Sequence, residues 1–238
     1  SDESIPSLSA IAILRGIEDD IATGLHGHVV VYGGGNTAID VARSAIRMGA
    51  KSVKVVVRKS QEQMPAHYEE IDEALDEGVE IVPFHSISEI KKGQLILEKN
   101  FISDGNSVKP TGQFVTMEAN VVVQALGQNV DEALLDNLEE LKLEDGVLGV
   151  DTHLMSAIDG VFAGGDMIPS ERNVTVAIGH GKKAARSISQ WLNGKFEKQS
   201  KKHEVVDYSM MNTWYYSDAP RTIRPMLDVV RRTSGFAE

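Results

Sequence analysis

A short glycine-rich segment between two apolar runs most constrains the fold of this chain. Residues 33–38 read Gly-Gly-Gly-Asn-Thr-Ala and lie directly between a β-branched run at 28–32 and an amphipathic segment at 36–48. A second apolar run follows at 52–57. Parallel strands need a crossover connection, so strand, helix and strand in this order predict a β-α-β unit. The chain is therefore predicted to be an α/β protein built on an open parallel sheet.

The other apolar patterns predict further elements. The helix at 36–48 is expected to bury its small residues and to turn Asp40, Arg43 and Arg47 toward solvent. Beyond it we predict a helix at about 67–76, a strand at 79–84, a β-meander between 86 and 114 on one edge of the sheet, a strand at 119–125, an acidic helical region at 131–145, short strands at 147–150 and 161–163, and a long helix at 173–192.

The small residues of the glycine segment predict a site for an anion. Gly33 permits a tight turn, Gly35 lets a pyrophosphate approach the backbone, and Ala38 lets the helix pack close to the sheet. The free N–H groups at the helix start, near Asn36 and Thr37, carry the positive end of the helix dipole and hold the anion. The pattern predicts a dinucleotide site, with a glycine turn that binds nothing as the alternative.

Two cations, Arg58 and Lys59, follow the second strand. A carboxylate at this place hydrogen-bonds the ribose 2′-hydroxyl of NAD, whereas cations suit the 2′-phosphate of NADP. A charged hydrogen bond contributes about 1.5–3 kcal/mol, so either cation favours NADPH by roughly 10- to 100-fold. We therefore predict NADPH as the coenzyme, and a solvated basic strand end is the alternative.

Two later segments have features of a second nucleotide site. Ala125-Leu126-Gly127 is a small-residue turn after a buried strand, where a cofactor could lie close to the backbone. Residues 160–166 form a strand that ends in Gly164-Gly165-Asp166, and the first amides of the long helix follow near 173–175. Such an aspartate accepts hydrogen bonds from ribityl or ribose hydroxyls, but aspartates also cap turns and helices. Both interpretations stay open on the pattern alone.

The combined motifs resemble one known family. Residues 33–43, the Arg58-Lys59 pair, Met64-Pro65-Ala66 and residues 160–166 are similar to the small subunit of glutamate synthase. They are also similar to related NADPH-dependent flavoproteins of the pyridine nucleotide-disulfide oxidoreductase superfamily. The resemblance runs from about residue 9 to residue 192 and implies a Rossmann-like NADPH domain, with a β-meander, inserted in an FAD-binding domain.

The resemblance also implies domain boundaries. Residues 1–24 would lead in from the FAD domain, 25–125 would form the NAD(P)H-binding domain, 126–193 would be the C-terminal portion of the FAD domain, and 194–238 would be a linker and surface-docking tail. The family's first glycine-rich element, which holds the ADP half of FAD, has no counterpart before Val29. We therefore expect a partial FAD domain and an incomplete FAD site.

The resemblance assigns roles to individual residues. Asp166 would bind the ribityl chain of FAD, the backbone near Val174 and Thr175 would approach the flavin, and Ala125 and Gly127 would lie near the return to the FAD domain. The cofactor-binding residues that we predict are Gly33, Gly34, Gly35, Asn36, Thr37, Arg58, Lys59, Ala125, Gly127, Gly165, Asp166, Val174 and Thr175. No catalytic side chain and no metal ligand is predicted.

The implied activity is hydride transfer from NADPH to FAD, with electrons passing on to an iron–sulfur or flavin partner. The alternative is a non-catalytic nucleotide-binding or subunit-docking module. A third possibility, a dehydrogenase that reduces a small molecule directly, needs a substrate-side acid or base that we do not find in the sequence.

The composition of the chain excludes several classes of binding partner. The net charge of −11 argues against nucleic acid, and the absence of cysteine excludes disulfides and cysteine-held clusters within the 238 residues. No apolar run approaches the roughly 20 residues of a membrane helix, and no signal peptide is visible, so we expect no membrane partner and a cytoplasmic location. Residues 195–203 predict a basic linker, after which Trp214, Tyr215 and Tyr216 are interpreted as buried anchors of the tail.

Overall fold

The structure is a computed structural model. It describes residues 5–19, 21, 23–103, 107–127, 138, 141, 143–194, 206–215, 217, 219–220, 222 and 225–236. The chain divides into two compact units, of which the first comprises Ser1–Gly127 and Thr222–Glu238 and the second Gln128–Arg221. The first strand of the chain, Ser7–Ser9, joins the sheet of the first unit.

A five-stranded parallel sheet forms the centre of the first unit. Its strands, in spatial order, are β1 (Ser7–Ser9), β8 (Val121–Gln124), β2 (His28–Tyr32), β3 (Ser52–Val56) and β4 (Glu80–Val82). Every neighbouring pair is parallel. The predicted open parallel sheet is confirmed. The sequence pattern missed β1, because three residues are too few to show a periodicity.

Three helices cover one face of this sheet. They are α1 (Ala10–Glu18), α2 (Asn36–Arg47) and α3 (Tyr68–Asp76). Ala38, Ala42 and Ala45 of α2 are fully buried in the same apolar cluster as Val29 and Val31 of β2. Small side chains therefore bring α2 close to the strands, as the sequence predicted.

The β-meander covers the other face. Its strands are β5 (His85–Lys91), β6 (Gln94–Ile102) and β7 (Val108–Glu118), which pair antiparallel in a sheet of their own. Leu95 and Leu97 pack against Val30, Val56 and Val122, whose side chains alternate with those facing the helices. The expected position on the sheet edge is wrong, because the apolar side of the meander is buried against the open face of the sheet.

The second unit contains a hairpin and a long helix. The strands β9 (Leu143–Glu144) and β10 (Val147–Leu148) pair antiparallel, and α4 (Val174–Leu192) follows. Near the expected strand at 161–163, the structure has a single bridge between Met155 and Phe162. Most of the expected helical region at 131–145, and the expected linker at 195–203, lie outside the described residues.

Arg43 is buried, although we expected it to face solvent. It is 6% exposed, and its Nε and Nη2 donate to Glu77 Oε1 at 3.2 and 2.8 Å. Glu77 Oε1 also accepts from Arg47 at 3.1 Å and lies 3.4 Å from Arg232 of the short C-terminal helix α5 (Val229–Thr233). Glu70 and Glu73 of α3 also pair with Arg43, at 2.9 and 2.8 Å, so three carboxylates, with Glu77 just after the helix, replace solvent around Arg43.

The exposed aromatics of the tail contradict their interpretation as buried anchors. Trp214 is 80% exposed and Tyr215 is 62% exposed, and the two rings form an edge-to-face pair 5.3 Å apart. Tyr216 lies outside the described residues. The C-terminal helix is held instead by Arg232, which is 3% exposed in the ion cluster.

The ion cluster predicts a loss of stability in acid. Burial would raise the pKa of the Glu77 carboxyl, but hydrogen bonds and positive charge from Arg43 and Arg47 outweigh burial and lower the pKa below its ordinary value. A carboxyl whose pKa is lowered by folding stabilises the protein above its unfolded pKa. That contribution disappears as the pH falls through the folded pKa. We therefore expect the free energy of unfolding to decrease progressively below about pH 4.5.

Urea denaturation between pH 7 and pH 3 checks this expectation, with Glu77→Gln as the matched control. The difference in unfolding free energy between wild type and variant should narrow in acid, because protonation removes the charge that the variant already lacks. A difference that stays constant over the whole range would contradict the assignment.

Candidate functional site

Gly33 turns the chain from β2 toward α2, and no other residue fits there. Its φ is +139°. A Cβ at Gly33 would lie 2.2 Å from the carbonyl oxygen of Ala125. The N–H of Gly33 donates to the carbonyl oxygen of Val56 at 3.1 Å, which links the turn to β3. The Ala125 backbone, which follows β8, therefore closes one side of the turn.

Gly34 and Asn36 contact the Met64-Pro65-Ala66 motif. A Cβ on Gly34 would lie 3.3 Å from Met64 Cγ, and the carbonyl oxygen of Gly34 accepts from the N–H of Ala66 at 3.1 Å. The side-chain oxygen of Asn36 accepts from the N–H of His67 at 2.9 Å. The Asn36 side-chain oxygen thus holds the segment before α3 and is not available to a ligand.

Gly35 leaves an open space at the start of α2. A Cβ on Gly35 would meet no atom within 4 Å. Within the described residues, the N–H groups of Gly35, Asn36 and Thr37 donate to no protein acceptor, and the first helical bond is from Ala38 to Gly35 at 2.9 Å. Unpaired amides at the positive end of a helix favour an anion. The start of α2 thus has both the space and the positive charge that an anion requires.

Arg58 and Lys59 lie at the same edge of the sheet. They follow β3, which is the neighbour of β2 and pairs Val56 with Tyr32. Arg58 is exposed and Lys59 is half-buried, and no ion pair to either joins residues that the structure describes. Two cations that follow the neighbouring strand, and that pair with no carboxylate in the described part of the chain, suit a phosphate on the adenosine side of a dinucleotide.

Ala125 and Gly127, the remaining predicted residues of the first unit, follow β8. Gly127 has a φ of +101° and is the last residue before the chain enters the second unit. The nine predicted residues Gly33, Gly34, Gly35, Asn36, Thr37, Arg58, Lys59, Ala125 and Gly127 all follow the carboxyl ends of β2, β3 or β8. Ligands in open α/β sheets bind at this edge.

Four predicted residues belong to the second unit. The N–H of Gly165 donates to Nδ1 of His180 on α4 at 3.1 Å, so that amide is already used. Asp166 is exposed, and within the described chain its carboxylate has no hydrogen bond or ion pair. Such a carboxylate is free to accept from sugar or ribityl hydroxyls.

The start of α4 is partly capped. The Asn173 side chain accepts from the N–H of Val176 at 2.8 Å. The N–H groups of Val174 and Thr175 donate to no acceptor among the described residues. Among the predicted residues that the structure describes in this unit, the carboxylate of Asp166 and the amides of Val174 and Thr175 are thus available to a ligand. Asn173 was recognisable from the sequence as a helix-capping residue, whereas the His180 contact depends on packing.

The structure gives two further findings about the described parts of the chain. They contain no group of three histidine, aspartate or glutamate side chains placed to hold a metal ion. They also contain no helix with the length and apolar character needed to cross a membrane.

The sheet, the glycine turn and its bare amides define a dinucleotide-binding α/β protein. The family model of pyridine nucleotide-disulphide oxidoreductases matches residues 9–181. The chain therefore belongs to the pyridine nucleotide-disulphide oxidoreductase family, which confirms the resemblance stated from the motifs.

Curated relatives extend the similarity. The chain is 36% identical over 203 residues to the NADP(+)-dependent formate dehydrogenase subunit beta of Moorella thermoacetica, which covers 78% of this chain and 28% of that protein. It is 34% identical over 185 residues to the glutamate synthase (NADPH) small chain of Azospirillum brasilense, covering 71% and 38%. The chain thus spans about a third of the length of these relatives.

Solved structures agree on the fold. FprA of Mycobacterium tuberculosis, solved in complex with NADPH, has a TM-score of 0.62 at 16% identity, and the match covers 81% of this chain and 60% of FprA. The thioredoxin reductase of T. acidophilum has a TM-score of 0.57 at 21% identity, covering 70% and 52%. At these identities the likeness supports the fold alone.

Proposed function

We propose that this chain binds NADPH and belongs to an enzyme that transfers a hydride from NADPH to FAD. Electrons would pass on to an iron–sulfur or flavin partner. One observation carries the proposal: the unpaired amides of Gly35, Asn36 and Thr37 lie at the same sheet edge as Arg58 and Lys59, two cations without an acidic partner among the described residues.

The protein's part in this reaction is binding and orientation. The chemistry that the cofactors supply is hydride transfer between nicotinamide C4 and flavin N5. The amides after Gly33 hold the pyrophosphate, and Arg58 and Lys59 fix the adenosine end. Asp166 and the amides of Val174 and Thr175 would contribute to the FAD site. Because cofactor geometry determines the rate, no side chain needs to act as acid or base.

The partner and the domain roles are also proposals. Two relatives are described by name as a subunit and a small chain, which supports an electron-transfer partner on another subunit or domain. We assign the NADPH site to residues 25–125 and part of the FAD site to residues 126–193, with residues 194–238 as a linker and docking tail.

Anaerobic spectroscopy tests the redox proposal. The purified chain is mixed with FAD, freed of unbound flavin, and titrated with NADPH. Retained flavin absorbance that NADPH bleaches would support the enzyme. Flavin that is retained but not bleached by NADPH would contradict it.

A non-catalytic nucleotide-binding or docking module is the second candidate. It is consistent with a site built from main-chain amides and two cations, which can bind a nucleotide without reacting with it. A colourless protein that still binds NADPH would support this candidate, or would assign the chain to a part of the enzyme.

Removing either cation should weaken NADPH binding selectively. We expect Arg58→Ala and Lys59→Ala each to raise the Kd for NADPH by about 10- to 100-fold, since each loses a charged hydrogen bond. The Kd for NADH should stay nearly constant, because NADH lacks the 2′-phosphate. Calorimetric titration measures both constants. Lys51→Ala is the matched control, since Lys51 is an exposed lysine just before the amino end of the same strand.

An equal loss of affinity for both coenzymes in the Arg58 and Lys59 variants would contradict the placement of the 2′-phosphate. The control variant should bind both coenzymes like the wild type.

A further inference from the structure

Phe84 has a backbone conformation that aromatic residues rarely adopt. It lies between β4 and β5, at the point where the chain leaves the parallel sheet for the meander, and its φ is +57°. Glycine or asparagine adopts this left-handed conformation at lower cost, so a bulky residue there indicates a constraint from its surroundings.

The constraint comes from hydrogen bonds to the loop that carries the two cations. The N–H of Phe84 donates to the carbonyl oxygen of Lys59 at 3.1 Å. The N–H of His85 donates to the carbonyl oxygen of Val57 at 3.0 Å. These two acceptors flank Arg58, so consecutive amides hold the main chain on both sides of that residue.

The left-handed residue explains how two consecutive amides can serve one loop. Successive N–H groups of an extended strand point to opposite sides, whereas a left-handed residue can turn neighbouring N–H groups in one direction. The carbonyl oxygen of Phe84 accepts from the N–H of Asn100 at 2.7 Å, and Asn100 Nδ2 donates to Ser86 Oγ at 2.8 Å. Asn100 is 8% exposed, so the meander supports the arrangement from inside the protein.

We propose that Phe84 and His85 form a clamp that positions Arg58 and Lys59 for the 2′-phosphate of NADPH. The proposal rests on the proposed NADPH binding and adds a reason for the discrimination between coenzymes. A loop fixed on both sides of Arg58 loses less freedom when its side chains order around a phosphate. Phe84 and His85 are thus positioning residues that act through the main chain of the cation loop.

Two substitutions of Phe84 test the clamp. Proline has no N–H and fixes φ near −65°, so Phe84→Pro removes the bond to Lys59 and the left-handed conformation. Glycine keeps both, so Phe84→Gly is the matched control. We expect Phe84→Pro to lower the preference for NADPH over NADH by about 10-fold, through a weaker Kd for NADPH alone. Phe84→Gly should keep the wild-type preference.

The ratio of the two Kd values separates this role from a merely structural one, which would weaken both coenzymes together. If the wild type prefers NADPH and the Phe84→Pro variant keeps the same preference, the clamp is overturned while the proposed NADPH site stands. A Phe84→Gly variant that loses the preference also overturns it. A wild type without any preference overturns both the clamp and the proposed NADPH site.

A measurement on the unmodified protein covers the case in which Phe84→Pro does not fold. Hydrogen–deuterium exchange of the peptide containing Phe84 and His85 is followed with 2′,5′-ADP and with 5′-ADP. The clamp predicts slower exchange with the 2′-phosphorylated ligand than with 5′-ADP, because a phosphate bound at Arg58 and Lys59 stabilises the loop that these amides hold. Equal exchange with the two ligands, both at saturation, would overturn the clamp.

Discussion

Replacing Gly35 with valine should lower the affinity for NADPH by about 100-fold or more without destabilising the fold. The backbone of Gly35 has φ −87° and ψ 174°, which valine adopts readily, and a Cβ there meets no protein atom within 4 Å. The side chain would instead occupy the space for the pyrophosphate. Losing two charged hydrogen bonds of about 1.5–3 kcal/mol each accounts for the expected loss. Calorimetric titration measures the affinity for NADPH, and urea denaturation measures the free energy of unfolding.

Gly33→Ala is the matched comparison two residues away. Its Cβ would lie 2.2 Å from the Ala125 carbonyl oxygen, and its φ of +139° is nearly restricted to glycine. We expect it to destabilise the protein by about 3–5 kcal/mol through strain and overlap. Substitution of Gly33 should therefore lower the stability of the fold, whereas substitution of Gly35 should lower the affinity for NADPH. A Gly35→Val variant that binds NADPH like the wild type would contradict the site.

A loss of stability of similar size is expected at Glu77. Its side chain is fully buried and its Oε1 accepts from Arg43 and Arg47. Glu77→Gln leaves these arginines buried without that charge, and breaking a buried ion pair typically costs about 3–5 kcal/mol. We expect a loss of this size in the free energy of unfolding at pH 7. Loss of the Arg232 contact should also expose α5 to proteolysis.

Glu80→Gln serves as the control for Glu77. Glu80 pairs with Lys54 at 2.7 Å, but its side chain is 60% exposed. Exposed ion pairs contribute about 1 kcal/mol or less, so this variant should unfold almost like the wild type. If both variants lost a similar free energy of unfolding, burial would not be the reason for the large contribution of Glu77.

The turn at Gly33 and the start of α2 were predictable because they depend on local geometry. The strand, the glycines and the helix are consecutive, and each requirement can be assigned to one residue. The contacts of Gly34 and Asn36 with Ala66 and His67 were not predictable, because they join segments about 30 residues apart. Nothing in the local pattern at Phe84 indicates a left-handed backbone.

The burial of the ion cluster could not be predicted from the sequence, for a different reason. The sequence analysis placed Arg43 on the polar side of the 36–48 helix, and charged helix faces are usually solvated, so an exposed Arg43 was expected. Burial followed only from the packing of α2, α3 and α5 together. The aromatic pair in the tail led to the opposite error, because Trp214 and Tyr215 have the composition of anchors and yet are exposed.

The glycine turn and the two cations are proposed to select NADPH over NADH. The most direct measurement is calorimetric titration of the unmodified chain with NADPH and with NADH under one buffer and salt condition. We predict binding of NADPH at least about 10-fold tighter than that of NADH, from the charged hydrogen bonds to the 2′-phosphate. Equal affinity for the two coenzymes, or no binding of NADPH, would contradict the account.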